Sequence, residues 1–367
     1  MKLHRRLLLV FSTLSSLSFA APFMAVGDGA ELFVTGTLGI RSDDNIFMAK
    51  KAESDVIFDI NPGVDLTFGK NAQLKGSLTL VDSFSNYSDN SKLNTNLFAG
   101  NFTSNYEDGS KLKLGFNLGY NELNQNQIDI RGLTRRDVFT TGATTEVEVS
   151  QITSIGAGIA FAHENYKRKG FTDSDSLTVP INFYYKWTPK TDLSVGYRYR
   201  DYAIDLGSDS TDHFFNVGLR GELSPKLTGT ILVGLNSRKL DRGGDDTQLG
   251  LDANIFYELT PKSRLTFGAN NDFGTSPQGQ QQKNFSLNGG ISSQISEEWT
   301  VNAGLNFRAT DYGTRTDDYV ELNLGASYIV NANIRILGGY TYRSYASDIA
   351  SAEFKNNVFS ISANFRY

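Results

Sequence analysis

From Phe359 to the final Tyr367 every second residue is apolar or aromatic: Phe359, Ile361, Ala363, Phe365 and Tyr367 alternate with Ser360, Ser362, Asn364 and Arg366. A period of two predicts a β-strand with one apolar and one polar face. The same period recurs along the chain. Leu193, Val195, Tyr197 and Tyr199 oppose Ser194, Gly196, Arg198 and Arg200, and Val301, Ala303, Leu305 and Phe307 oppose Asn302, Gly304, Asn306 and Arg308. Val179, Ile181, Phe183, Tyr185 and Trp187 oppose Asn182, Tyr184 and Lys186. Three turns, WTPKTDL, LSPKLTG and LTPKSRL, place prolines at 189, 225 and 261. The same step of 36 reaches Glu297 and Asn333 going forward and Thr153 going back. Midway between these turns lie the polar loops LGSDST, RGGDDT, SPQGQQQK and GTRTDD. The repeat is therefore a hairpin with one tight and one looser connection. A solenoid can also repeat at such a period, but it does not need paired strands of this length. The pattern predicts about eighteen strands, from near Glu31 to Tyr367, with boundaries good to a few residues.

Which side the apolar face lies on decides the class. Mean hydropathy is −0.31, and no apolar run outside the first residues is long enough for a membrane helix. A membrane barrel averages out polar, however, because only alternate residues meet lipid. Here the apolar face is a simple band with aromatics at its ends, while the other face carries Arg, Asn, Gly and Glu. An apolar outside around a polar inside predicts an all-β fold, a transmembrane antiparallel up-and-down β-barrel. Trp187 and Trp299 flank tight turns, where an interfacial girdle places them. An even strand count puts both chain ends and the tight turns on the periplasmic side and the polar loops outside. The last strand must then pair with the first, since an open edge in lipid costs several kcal/mol per unpaired group.

The start of the chain agrees with export. MKLHRRLLLVFSTLSSLSFAAP has basic Lys2, Arg5 and Arg6, an apolar stretch from Leu7, and small residues Ser18 and Ala20. This predicts a signal peptide over 1–20, followed by a single barrel domain over 21–367. Cleavage moves the formal net charge from −5 to −8, and without cysteine the exported chain draws no stability from disulfides. The expected location is the outer membrane of a Gram-negative cell envelope. The expected partners are outer-membrane lipid and lipopolysaccharide and the barrel-assembly machinery, with no nucleic acid and no cofactor. Only about ten residues would precede the first strand, too few for the globular plug that fills the lumen of large transporters.

The segment VTGTLGIRSDDNIFMAKKAESDVIFDINPGVDLTFGKNAQLKGSLTL resembles the start of the β-barrel porin 2 family. The matching elements are Asp43, Asp44, Asn45, Ile46 and Phe47, then Ser54 and Asp55, then Asn61, Pro62 and Gly63; GYRYRDY and the Pro-Lys turns are also similar. The terminal NFRY resembles the aromatic-ended assembly signal of outer-membrane barrels. The resemblance implies a pore, with polysaccharide-export components as partners, and supplies no catalytic residues.

Candidate site residues follow from strand parity. Arg198, Arg200, Arg220, Arg308, Arg335 and Arg343 are placed facing the lumen, as are Glu146, Glu148, Glu222, Asp252, Glu258 and Glu321. They could form a charged pore wall that steers ions or polyhydroxylated solutes. Equally, they could pair across strands and hold the register. The connection Asn124–Asp137 is the longest, so Arg131, Arg135 and Arg136 are candidates for a constriction, with Ile128, Ile130 and Leu133 tucked inward. A surface loop, or simply longer strands, fits the same stretch. The acidic loops lack the ligand spacing of known Ca²⁺ motifs, and no metal site is assigned. Beyond the signal peptide only His163 and His213 are present, and neither is tied to a serine by a motif, so no catalytic residue is assigned and an enzyme is not expected. A diffusion or export pore and a non-conducting structural or adhesin-like barrel both remain open.

Overall fold

The computed structural model describes residues 21–367 apart from 28, 110, 128, 130 and 131, so the predicted signal peptide lies outside the described residues. Nineteen strands form one antiparallel sheet. A short strand β1 (Met24–Val26) precedes β2 (Ala30–Asp43), β3 (Asp55–Phe68), β4 (Leu74–Tyr87), β5 (Thr95–Glu107) and β6 (Leu112–Gln127). Then come β7 (Gly132–Ser150), β8 (Thr153–Tyr166), β9 (Ser174–Thr188), β10 (Thr191–Ile204), β11 (Ser210–Ser224) and β12 (Leu227–Leu240). The ring continues with β13 (Asp245–Thr260), β14 (Ser263–Thr275), β15 (Gln281–Gln294), β16 (Trp299–Asp311), β17 (Thr316–Ile329), β18 (Ile334–Ser347) and β19 (Phe354–Arg366). Each pairs with its sequence neighbours, and β19 pairs with β2, from Val358 opposite Asp43 to Arg366 opposite Thr35. The result is a closed barrel of eighteen strands, β2 to β19, with β1 as an added strand.

The seam shows why the chain stays ordered to its last residue. Tyr367 exchanges both backbone hydrogen bonds with Val34, at 2.7 and 2.9 Å. Beyond that point β1 takes over the edge of β2, pairing Met24–Val26 with Leu32, Glu31 and Ala30. The rings of Phe23 and Tyr367 meet edge to face at 6.2 Å where the two strands adjoin. Together β1 and β19 cover the β2 edge from Ala30 to Asp43, which leaves little of it open to lipid.

Alternation sorts the two faces. Leu38, Ile40, Phe58, Phe116, Ile159, Phe183, Val195, Val217, Leu235, Phe267 and Leu305 lie on the outer surface, each 39% or more exposed. The residues between them are polar and point inward. At mid-height many of these are Gly and Asn; a Cβ on Gly196 would lie 2.2 Å from Asn182 Oδ1 and 2.7 Å from Asn216 Oδ1. The missing side chain is what lets two asparagine amides lie over that strand. Pro62 and Pro180 lack an N–H, and the ladders break beside them: β3 and β4 unpair between Ile60 and Gly63, and β8 and β9 between Ile181 and Thr178.

Candidate functional site

One rim carries the tight turns, and the other carries the longer connections. At the long-loop rim the inner wall of β10–β14 holds a cluster of opposite charges. Arg200 Nε donates to Asp212 Oδ2 at 2.7 Å, and Arg238 binds the same carboxylate at 2.6 and 2.8 Å. Arg198 and Arg200 both reach Asp272, at 2.9 and 3.2 Å, and the Asn236 amide caps that carboxylate. Contacts from β10 to β14 skip three strands, so they can only be made through the barrel interior. Asp212 is 1% exposed and Arg238 3%, so the charges are removed from water and matched to each other.

A second cluster lines the wall near the tight-turn rim. Arg220 on β11 donates to both Glu146 oxygens, at 2.6 and 2.8 Å, and to Asp192 at 2.8 Å, while its guanidinium stacks 3.3 Å from the Tyr184 ring centre. Ser154 Oγ also donates to Glu146, at 2.9 Å. Glu148 pairs with Lys186, Glu222 with Lys190 at 2.7 Å, and Glu258 with Arg264. Arg343 binds Glu321 at 2.8 Å. Arg335 lies one residue into β18 at the tight-turn rim, and Asp252 sits on β13 opposite Leu232 and Asn270. The inward charges are thus largely cross-strand pairs. Asp129, Asp192, Asp212, Arg238 and Asp272, which complete them, were not singled out in the sequence.

The β4–β6 wall differs. Asn101, Thr103 and Asn105 face inward, opposite the outward Phe98, yet are exposed. Thr103 shares a hydroxyl hydrogen bond with Ser77 at 3.0 Å, and Asn101 bonds Asn121 at 3.2 Å. This neutral hydroxyl and amide wall borders open space inside the barrel.

The stretch Asn124–Asp137 takes the longer-strand reading that the sequence left open, and not that of a long loop. Asn124–Gln127 belong to β6 and Gly132–Asp137 to β7, because the hairpin ladder continues past the neighbouring strands. Arg131 lies outside the described residues, as do Ile128 and Ile130. Arg135 points to the outer face, 3.6 Å from Glu122, and therefore lines no constriction; Arg136 points inward and is buried.

The hairpin tip nevertheless crosses the mouth. Asp129 Oδ1 accepts hydrogen bonds from Arg308 Nη2 at 2.6 Å, Gln282 Nε2 at 3.3 Å and Tyr312 Oη at 3.4 Å. The Asp129 carbonyl accepts one from Gln278 Nε2 at 3.4 Å. Arg308 and Gln282 lie on β16 and β15, nine strands from β7 and β6 either way round the ring. Burial first, and then the Asp129 carboxylate, push the Tyr312 hydroxyl up to about 12, so it stays protonated and remains a donor. The hairpin is a strap pinned to the opposite wall.

The β2–β3 connection also folds inward beside the strap. Asn45 donates to the Ala49 and Lys355 carbonyls at 2.8 and 2.9 Å, and Asn356 donates to Asp43 at 2.6 Å. Ile46 packs with Ile57 and Tyr87, and Met48 with Tyr319, Tyr345, Ala352 and Phe354. The Asp-Asp-Asn-Ile-Phe motif therefore anchors a lumen-side loop. The two histidines face outward: His163 Nδ1 lies 2.7 Å from Asp175, and His213 Nδ1 2.7 Å from Tyr197 Oη. Among the described residues no three His, Asp or Glu side chains are grouped as a metal site requires.

No curated protein matches the sequence. Among solved structures, Pseudomonas aeruginosa OpdK with vanillate is similar with a TM-score of 0.50 at 10% identity, over 92% of this chain and 99% of that one. A BenF-like porin from Pseudomonas fluorescens Pf-5 gives 0.49 at 10% identity, over 92% and 99%. At that identity the likeness to OpdK bears on the fold alone. The family described as "Putative beta-barrel porin 2" matches residues 22–367, and this porin-like outer-membrane barrel belongs to it.

Proposed function

We propose that the barrel is a passive channel for small polar or ionic solutes, entered at the long-loop rim beside the hairpin strap. The observation that carries this is the exposed amide and hydroxyl wall on β4–β6 beside a hairpin pinned to the opposite wall through Asp129. Eighteen strands is about the size at which barrels leave an aqueous channel. The buried charge clusters on β7–β14 support the wall, and the exposed polar groups face the path.

Export of a polysaccharide would be one use of such a pore. That idea rests on the family resemblance alone; the strap supports passage of small solutes and not of a polymer. One observation favours a non-conducting barrel instead. The loops at the mouth bind one another, with the Thr172 N–H donating to the Pro277 carbonyl at 2.8 Å and the Leu206 N–H to Thr172 Oγ1 at 2.9 Å. Conductance of the purified full barrel in a planar bilayer separates the two. Steady conductance that rises when residues 127–132 are shortened supports the channel. A barrel that stays silent in both forms would be structural or adhesive.

A further inference from the structure

Among the described inward-facing guanidinium groups, that of Arg136 alone has two buried nitrogens without a hydrogen-bond partner. Arg136 is 6% exposed, and neither its Nε nor its Nη1 has a hydrogen-bond partner. Two residues before it on the same face of β7, Thr134 is 2% exposed, and its hydroxyl is also unpartnered. Burying a cation without an acceptor is costly, as is burying a hydroxyl without one. Other buried arginines here, Arg200 and Arg238, are matched by carboxylates.

The surroundings define what is missing. Across the ladder Arg136 faces Tyr166, with the guanidinium 5.9 Å from the ring centre. The nearby carboxylate is Glu164, two residues earlier on β8, and it accepts from Tyr166 Oη at 3.0 Å instead of pairing with Arg136. Asp173 is likewise engaged, accepting from the Tyr166 N–H at 2.7 Å and the Asn165 amide. Among the described residues the site offers the Arg136 guanidinium, the Thr134 hydroxyl and the Tyr166 ring, with two carboxylates close by and Arg168 stacked on Phe171 on the far side of Tyr166. A planar monoanion fits that set. A dianion would meet stronger repulsion from the two carboxylates than a monoanion does.

We propose that Arg136 and Thr134 form a carboxylate-binding subsite at the root of the strap, which takes the carboxylate of a small monocarboxylate solute at the entrance to the lumen. The proposal rests on the channel reading for its place in transport, but the binding itself does not require conduction. It makes Arg136 a specificity-determining residue, whereas Arg135, one position away and paired to Glu122, takes no part.

The test is thermal unfolding of the full barrel in detergent, followed by heat-modifiable migration, in sodium acetate, sodium phosphate and sodium chloride at equal ionic strength. The wild type should show a saturable rise in unfolding midpoint in acetate over chloride, and a smaller one in phosphate. Arg136→Gln should abolish the acetate increment, Arg135→Gln should keep it, and Thr134→Val should raise the half-saturating concentration several-fold. Because the guanidinium has no hydrogen-bond partner to lose at Nε or Nη1, Arg136→Gln should fold about as well as the wild type; if it does not assemble, Thr134→Val carries the test. A wild type with no acetate increment, or an Arg136→Gln or Thr134→Val barrel that keeps it unchanged, overturns the proposal. In a planar bilayer the acetate-to-chloride permeability ratio should fall in Arg136→Gln. A silent bilayer with an intact acetate increment would remove the channel reading and leave the subsite standing.

Discussion

Removing the carboxylate of Asp129 breaks the strap's charged contact with the opposite wall and leaves the barrel ladder intact. The substitution Asp129→Asn keeps the shape and takes away the charge that Arg308 meets at 2.6 Å. A charge-assisted hydrogen bond contributes about 1.5–3 kcal/mol. The Gln282 and Tyr312 bonds, at 3.3 and 3.4 Å, lie at the long end of useful geometry and add little. The Asp129 side chain is 9% exposed and that of Arg308 25%, so water screens the pair only in part. A coupling of about 2–3 kcal/mol follows, and at about 1.4 kcal/mol per tenfold it changes the ratio of latched to released hairpin roughly 30- to 140-fold.

Single-channel recording of the wild type, Asp129→Asn, Arg308→Gln and the double variant reads that ratio as the time spent in a wider-conducting state. Each single variant should raise it by about thirtyfold or more, and the double variant should do no more than the stronger single one, since both remove one contact. Heat-modifiable migration should be unchanged, because the latch lies outside the barrel ladder. Independent effects that multiply, or a folded Asp129→Asn barrel with wild-type opening statistics, would refute the latch.

Val195 is 60% exposed on the outer face, so Val195→Arg should destabilise by up to about 2–4 kcal/mol near the midplane, whereas Thr103→Arg on the exposed inner wall should be nearly silent in a urea titration. Deleting Phe365–Tyr367 strips the partners of Val34, Thr35 and Gly36 and should abolish heat-modifiable assembly; normal migration of the truncated protein would count against the seam. Asp212→Asn leaves Arg200 and Arg238 short of charge inside the wall and should cost about 3–5 kcal/mol in equilibrium unfolding, with conductance preserved wherever the barrel still folds.

Much of the barrel was legible because its faces alternate without exception over long stretches. The period of 36 in the Pro-Lys turns placed the hairpins, and parity placed Arg198, Arg220 and Glu321 on the inner side. Parity cannot report which inward residues meet. Arg220 finds Glu146 four strands away, and Asp272 on β14 gathers Arg198 and Arg200 from β10. Those contacts depend on barrel curvature, which brings the inner faces of non-adjacent strands together and leaves no mark at any fixed sequence spacing. Asp129 was missed for a related reason. Beside Arg131 it reads as an ordinary polar loop residue, and its partners lie 149 to 183 positions away.

The same limit explains why loop and longer strands both stayed open for Asn124–Asp137. Gln and Asn are poor strand formers, so NQNQ reads as loop. In the barrel these residues extend a ladder already paired from Leu112 to Asn124, and each added pair fixes little further backbone. Continuing the hairpin is then cheaper than closing a long loop, and the extension is what carries Asp129 across the mouth. Local propensity favours the loop at this hairpin, and the contacts that the opposite wall supplies override it. In the remaining strands local pattern and global fold agree.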